Sequence, residues 1–182
     1  SNLIMESKSR TQLLLKIMLI VTWVAFIGFM IRAGTILVLY ALSLVNPEAS
    51  MDFYEGPTLY SLYQYGFWTF SVAVALMTSV PIMNALIAHE VIKILTQFNL
   101  SSPFTMEVAQ RLQKVAALAL GIWILNIIIN IHSGVTIGVA DAAYKQDADP
   151  GDYTLIMAAL LFIISQVFKR GVEMQTENDL TV

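Results

Sequence analysis

The most constraining feature of this sequence is its set of long apolar runs. From Ile17 to Val45 the only strong charge is Arg32. A helix rises 1.5 Å per residue, so about 20 largely apolar residues cross the hydrocarbon of a bilayer. This run suffices alone, and Asn46-Pro47 ends it, because the residue before proline avoids helical geometry. Further runs span about Gly66–Ala88, with Pro81 inside, and about Val115–Val139. A fourth, about Tyr153–Phe168, follows the helix-start signal Asp149-Pro150-Gly151-Asp152. It covers only about 24 Å and needs local thinning or flanking residues. The expected fold is all-α: an integral membrane bundle of four transmembrane helices, forming one domain over residues 1–182.

Composition agrees. Charged residues make up 13% of the chain, about half the share of a soluble domain. A soluble chain this short could not bury so much apolar surface. The net charge of −3 gives no basic excess for nucleic acid. The absence of Cys excludes disulfides, thiol nucleophiles and thiolate metal sites. The first run is too long for a cleaved signal peptide and lacks a small-residue cleavage site.

Charge sets an orientation. With four spans, the N-terminus, the 88–114 segment and the C-terminus share one side. That side holds Lys8, Arg10, Lys16, Lys93, Arg111, Lys114, Lys169 and Arg170, eight of the ten basic residues. Basic excess marks the cytoplasm, so both termini are expected inside. The tyrosines cluster at the opposite interface, where an amphipathic ring suits the boundary. A three-span reading would strand Lys169-Arg170 outside.

Span two is expected to continue beyond the membrane. Over 88–99, His89, Glu90, Lys93 and Gln97 share one face, and Val91, Ile94, Leu95 and Phe98 the other. The 99–103 segment breaks that helix. Thr105 can cap the next, with Glu107 in its first turn and Arg111 four residues on as an ion-pair partner. Residues 88–114 therefore read as a cytoplasmic helical hairpin, and 169–182 as a polar cytoplasmic tail.

Two stretches carry a family resemblance. One is Ser102-Pro-Phe-Thr-Met-Glu-Val-Ala-Gln-Arg-Leu-Gln-Lys114. The other is Phe168-Lys-Arg-Gly-Val-Glu-Met-Gln-Thr-Glu-Asn-Asp-Leu-Thr-Val182, which closes on a G-x-x-x-x-x-E-N-D-L-T-V pattern. Together they resemble the bacterial membrane-protein family called domain of unknown function 2975 (DUF2975). Up to about residue 65 the likeness is one of hydropathy only. The resemblance implies four helices in a bacterial inner membrane, and genes arranged beside a small helix-turn-helix regulator. It implies no activity.

Within the tail, Glu177, Asn178, Asp179, Leu180 and Val182 are candidate interaction residues, with Arg111 and Lys114 as counter-charges for Glu177 and Asp179. The tail either docks on the hairpin or binds a cytoplasmic protein; Leu180-Thr-Val182 also suits a carboxylate-capturing groove. Within the spans, Arg32 either pairs, with Asp141 as first candidate, or snorkels to the interface. Asn126, Asn130 and Ser133 share a face of span three, able to join helices by hydrogen bonds or to line a polar cavity. Gly134 and Gly138 form a GxxxG step that permits close helix approach, in the bundle or in a homo-oligomer. Pro81 and Asn84 mark a break or kink in span two. His89 and His132 fall on opposite membrane sides and share no metal.

No catalytic constellation, cofactor motif or metal-ligand spacing emerges. The leading expectation is a non-enzymatic membrane protein binding a cytoplasmic partner. The alternative is a small transporter or channel subunit using Arg32, Asn84, Asn126, Asn130 and Asp141.

Overall fold

The computed structural model describes the backbone of residues 2–46, 66–97, 105–135 and 152–179, and the side chains of 10–46, 66–97, 105–134 and 153–178. These residues form four helices: α1 Asn2–Val45, α2 Phe67–Gln97, α3 Met106–Val135 and α4 Asp152–Asp179. All four are long and apolar enough to cross a membrane. The all-helical architecture and the number of candidate spans are those expected. The last residues assigned to span three, 136–139, lie outside the described residues.

Local chemistry explains the boundaries. The α1 helix closes where the Asn46 amide donates to the Leu42 carbonyl (2.8 Å), just before Pro47. Thr105 caps α3: its hydroxyl accepts from the Val108 amide (3.3 Å) and its carbonyl from the Ala109 amide (3.1 Å). Pro81 does not end α2, which runs on to Gln97 with the proline ring buried. Span hydroxyls mostly serve their own helix: Thr22, Thr35, Ser43 and Thr78 each donate to the carbonyl four residues back. That removes a polar hydrogen from an apolar surround without a second helix.

Packing is serial. Extensive contact joins α1 to α2, α2 to α3 and α3 to α4, and among the described residues no other pair packs comparably. The α1–α2 seam runs antiparallel. At one end the Tyr40 ring lies 5.5 Å from Phe70 and its hydroxyl 3.0 Å from that of Ser71; at the other, Phe26 meets the His89 ring at 6.0 Å. Between them Ile36, Phe70, Ala73, Val74 and, from α3, Ile129 form a buried cluster. Many other described side chains of α1 face outward; Val24, for example, is 66% exposed. Outward faces this apolar suit hydrocarbon rather than water, as in a multi-pass membrane protein.

The α2–α3 seam is antiparallel too, and close. A methyl group placed on Gly121 would sit 2.6 Å from Met83 Cε, so the glycine makes room for that side chain. The close approach expected at Gly134 is not found there: an added Cβ would meet nothing within 4 Å among the described residues. Gly138 lies outside the described residues. On the other side of α3, Ala116, Ala117 and Leu120 face Leu155, Ala159 and Phe162 of α4 across an open groove of about 360 Å³.

Candidate functional site: a buried carboxylate at the base of the hairpin

Two residues past the end expected for span two, the polar face of α2 turns inward. Glu90 lies between the buried residues Ala88 and Ile92, and only 4% of its side chain is accessible. Burying a carboxylate costs several kcal/mol unless it is paired and hydrogen-bonded.

The pairing is two-handed. Arg111 Nη1 donates to Glu90 Oε2 at 2.9 Å, and Lys114 Nζ donates to Glu90 Oε1 at 2.5 Å. Arg111 uses its remaining faces as well: Nη2 donates to Glu107 Oε1 at 2.7 Å, and Nε to Gln97 Oε1 at 3.2 Å. One guanidinium thus ties a carboxylate on α2, the carboxamide of its last residue, and a carboxylate in the first turn of α3. A planar fork of fixed donors does this; a lysine at 111 could not.

Electrostatics follow the geometry. Burial pushes the Glu90 carboxyl upward, but the hydrogen bonds from Lys114 and Arg111, with the charges of Lys114 and Lys93, outweigh it and hold the group below its ordinary value of 4.5. Hydrogen bonding to Arg111 holds Glu107 below that value too. Glu107 raises the Arg111 guanidinium further, against a smaller opposing effect of burial. The cluster is a set of fixed charges at neutral pH. It can hold two helices in register and present the outer faces of its cations.

The candidate residues separate into groups. Arg111 and Lys114 come together, and the i,i+4 pair of Glu107 with Arg111 forms as expected. Among the described residues the partners seen for the two cations are Glu90, Glu107 and Gln97. Glu177 and Asn178 are exposed on the last turns of α4, which continues as helix where a polar tail was expected. Leu180 and Val182 lie outside the described residues, as does the side chain of Asp179. In the spans, Arg32 is exposed on α1 but is not without a partner; Asp141 lies outside the described residues. Asn84 and Asn130 are half-buried. Asn126 is 6% exposed, and its Oδ1 has no hydrogen-bond partner among the described residues. Ser133 donates within α3, to the Asn130 carbonyl at 3.0 Å.

Glu90 is the residue that sequence reasoning passed over, although it stood on the polar face of 88–99. The signal was available: a hairpin turning near residue 101 folds position 90 onto the neighbourhood of 111–114.

The family described as protein of unknown function (DUF2975) matches residues 57–182, a segment that includes every member of the Glu90 cluster. The chain belongs to the DUF2975 family. Within this DUF2975 protein, α1 lies before the matched segment, and α2, α3 and α4 lie inside it. Neither the curated proteins nor the solved structures contain a match.

Proposed function

We propose that this DUF2975 protein is a non-enzymatic protein of the bacterial inner membrane, with both termini in the cytoplasm, that binds a cytoplasmic protein through the 88–114 hairpin and the end of α4. The observation that carries the reading is the Glu90 cluster. A buried carboxylate held by Arg111 and Lys114 fixes the ends of α2 and α3 against each other. A surface fixed in this way loses little conformational freedom when a partner docks. Beside it, α4 extends past its apolar stretch as a polar helix, with Arg170 and Glu173 paired at 3.0 Å and Glu177 and Asn178 exposed. The basic residues of the hairpin, of Lys169-Arg170 and of the N-terminal segment support the cytoplasmic assignment of this end. The small helix-turn-helix regulator implied by the family resemblance is the partner we propose.

Purification from membranes in mild detergent, with and without residues 171–182, tests the proposal. The intact chain should retain a stoichiometric cytoplasmic protein and the shortened chain should lose it. Retention by both chains, or by neither, refutes binding through the end of α4. Reporter fusions at residues 100 and 182 that read out on opposite sides of the membrane refute the orientation.

A second reading, a small transporter or channel subunit, rests on Asn126. A buried amide oxygen without a partner is what a polar path between spans would leave. The chain has no cysteine, so Asn126→Cys would be its sole thiol. Labelling of that thiol by a water-soluble reagent favours a hydrated path; protection favours a dry bundle.

A further inference from the structure

The groove between α3 and α4 and the cation cluster between α2 and α3 meet at successive residues. The groove wall is apolar: Ala116, Ala117 and Leu120 on one side, Leu155, Ala159 and Phe162 on the other. Its one polar lining side chain is that of Gln113. Lys114 follows, about 100° around the helix. Its ammonium gives one bond to Glu90, yet the side chain is 62% exposed, leaving two protons to donate outward. Arg111 and Lys114 pair with Glu90 and Glu107, and Lys93 acts on Glu90 through its charge alone, so these five residues carry an excess of one positive charge. Neutralising Glu90 consumes only part of the cationic field.

We propose that this juxtaposition is a binding site for an anionic phospholipid, with an acyl chain in the α3–α4 groove and the phosphate at the Lys114 and Lys93 rim. Three observations fix the occupant's chemistry. The groove is open and apolar and flanked by faces suited to hydrocarbon, so an acyl chain fits its wall. The carboxamide of Gln113 stands where the apolar lining gives way to charge, at the place for glycerol ester oxygens. The net positive rim favours a phosphate of net negative charge over a zwitterionic headgroup. The site does not depend on a protein partner.

The test uses the full chain in detergent, with phosphatidylglycerol and phosphatidylcholine of matched acyl chains as probes and native mass spectrometry as readout. The wild type should retain phosphatidylglycerol in preference to phosphatidylcholine. Lys93→Gln and Lys114→Gln should each lower that preference roughly fivefold, the worth of one basic residue near an anionic surface, while retention of phosphatidylcholine stays the same. Ala117→Trp, and separately Ala159→Trp, should fill the groove and lower retention of both lipids, with unfolding temperatures within a few degrees of wild type as the check on folding. Each alanine is exposed on its helix, so the added ring enters the groove rather than a packed core. Equal retention of the two lipids by the wild type overturns the headgroup assignment. Undiminished retention by folded groove-filled variants overturns the groove. Displacement of the lipid by excess inorganic phosphate would make the site one for a free anion and overturn the proposal.

Discussion

Removing the two cations that hold Glu90 should damage this protein more than removing Glu90 itself. Both changes abolish the ion pairs of Glu90, and loss of the cations also removes the bonds from Arg111 to Glu107 and Gln97. They differ in what they leave behind. Arg111→Met with Lys114→Met leaves a carboxylate that is 4% accessible and has no cation within bonding distance. Stranding a buried charge costs about 3–5 kcal/mol. Glu90→Gln leaves two cations that can find other company: Arg111 keeps Glu107 and Gln97, and Lys114 is already 62% exposed. Gln keeps one acceptor oxygen, so one cation retains a neutral hydrogen bond and the other turns to solvent or its remaining partners, at a cost of about 1–2 kcal/mol in all. A triple variant, Glu90→Leu, Arg111→Met and Lys114→Met, should recover most of the loss of the double, because an apolar replacement of a whole buried ion cluster is close to neutral. Reversible unfolding in mixed micelles, followed by helical circular dichroism, reads all three. The reasoning is refuted if Glu90→Gln is as damaging as the double variant, or if the triple is no better than the double.

Four further outcomes follow from the same structure. Because the folded-state value for Glu90 is depressed, the cluster stabilises fully above the ordinary value of about 4.5 and loses that contribution as pH falls through the depressed value; acid titration should destabilise the wild type more than Glu90→Gln across that window. Gly121→Val should cost about 1 kcal/mol, because the flexible end of Met83 must move aside, whereas Gly134→Ala, with open space at its Cβ, should fall within about 0.5 kcal/mol of wild type; thermal unfolding of the pair decides it. Tyr40→Phe should remove about 1 kcal/mol by breaking the hydroxyl contact with Ser71 while the stacking on Phe70 survives. Asn126→Leu should be neutral or stabilising if the amide sits in a dry bundle, since an orphaned buried acceptor is lost with it; a loss of stability beyond about 1 kcal/mol would show that the carboxamide has a partner, such as a bound water.

The helices were legible because hydrocarbon solvation is read by length and apolar content alone. The four runs, the Thr105 cap and the Glu107–Arg111 pair all rest on spacing within one segment, and the structure has them. What escaped was pairing between segments. Arg111 and Lys114 stood out as cations in the sequence, but the carboxylate that both of them hold, Glu90 on α2, did not, because nothing within one segment marks it as buried. Gly121 drew no notice because a repeated glycine, as at Gly134 and Gly138, is visible in sequence and the rotamer of Met83 is not. The polar start of the tail read as the end of a helix, yet Arg170 with Glu173 and Thr176 with the Val172 carbonyl keep the helical register going to Asp179.

The serial order of the helices makes α1 separable. It leans chiefly on α2, it precedes the segment shared with the family, and among the described residues none of its side chains is bonded to the Glu90 cluster. In water, stripping it away would expose Phe70 and Val74 at great cost; in a bilayer, lipid tails are as apolar as the side chains they replace. The first helix can therefore drift in sequence, or be exchanged for another anchor, while the three helices behind it keep their function.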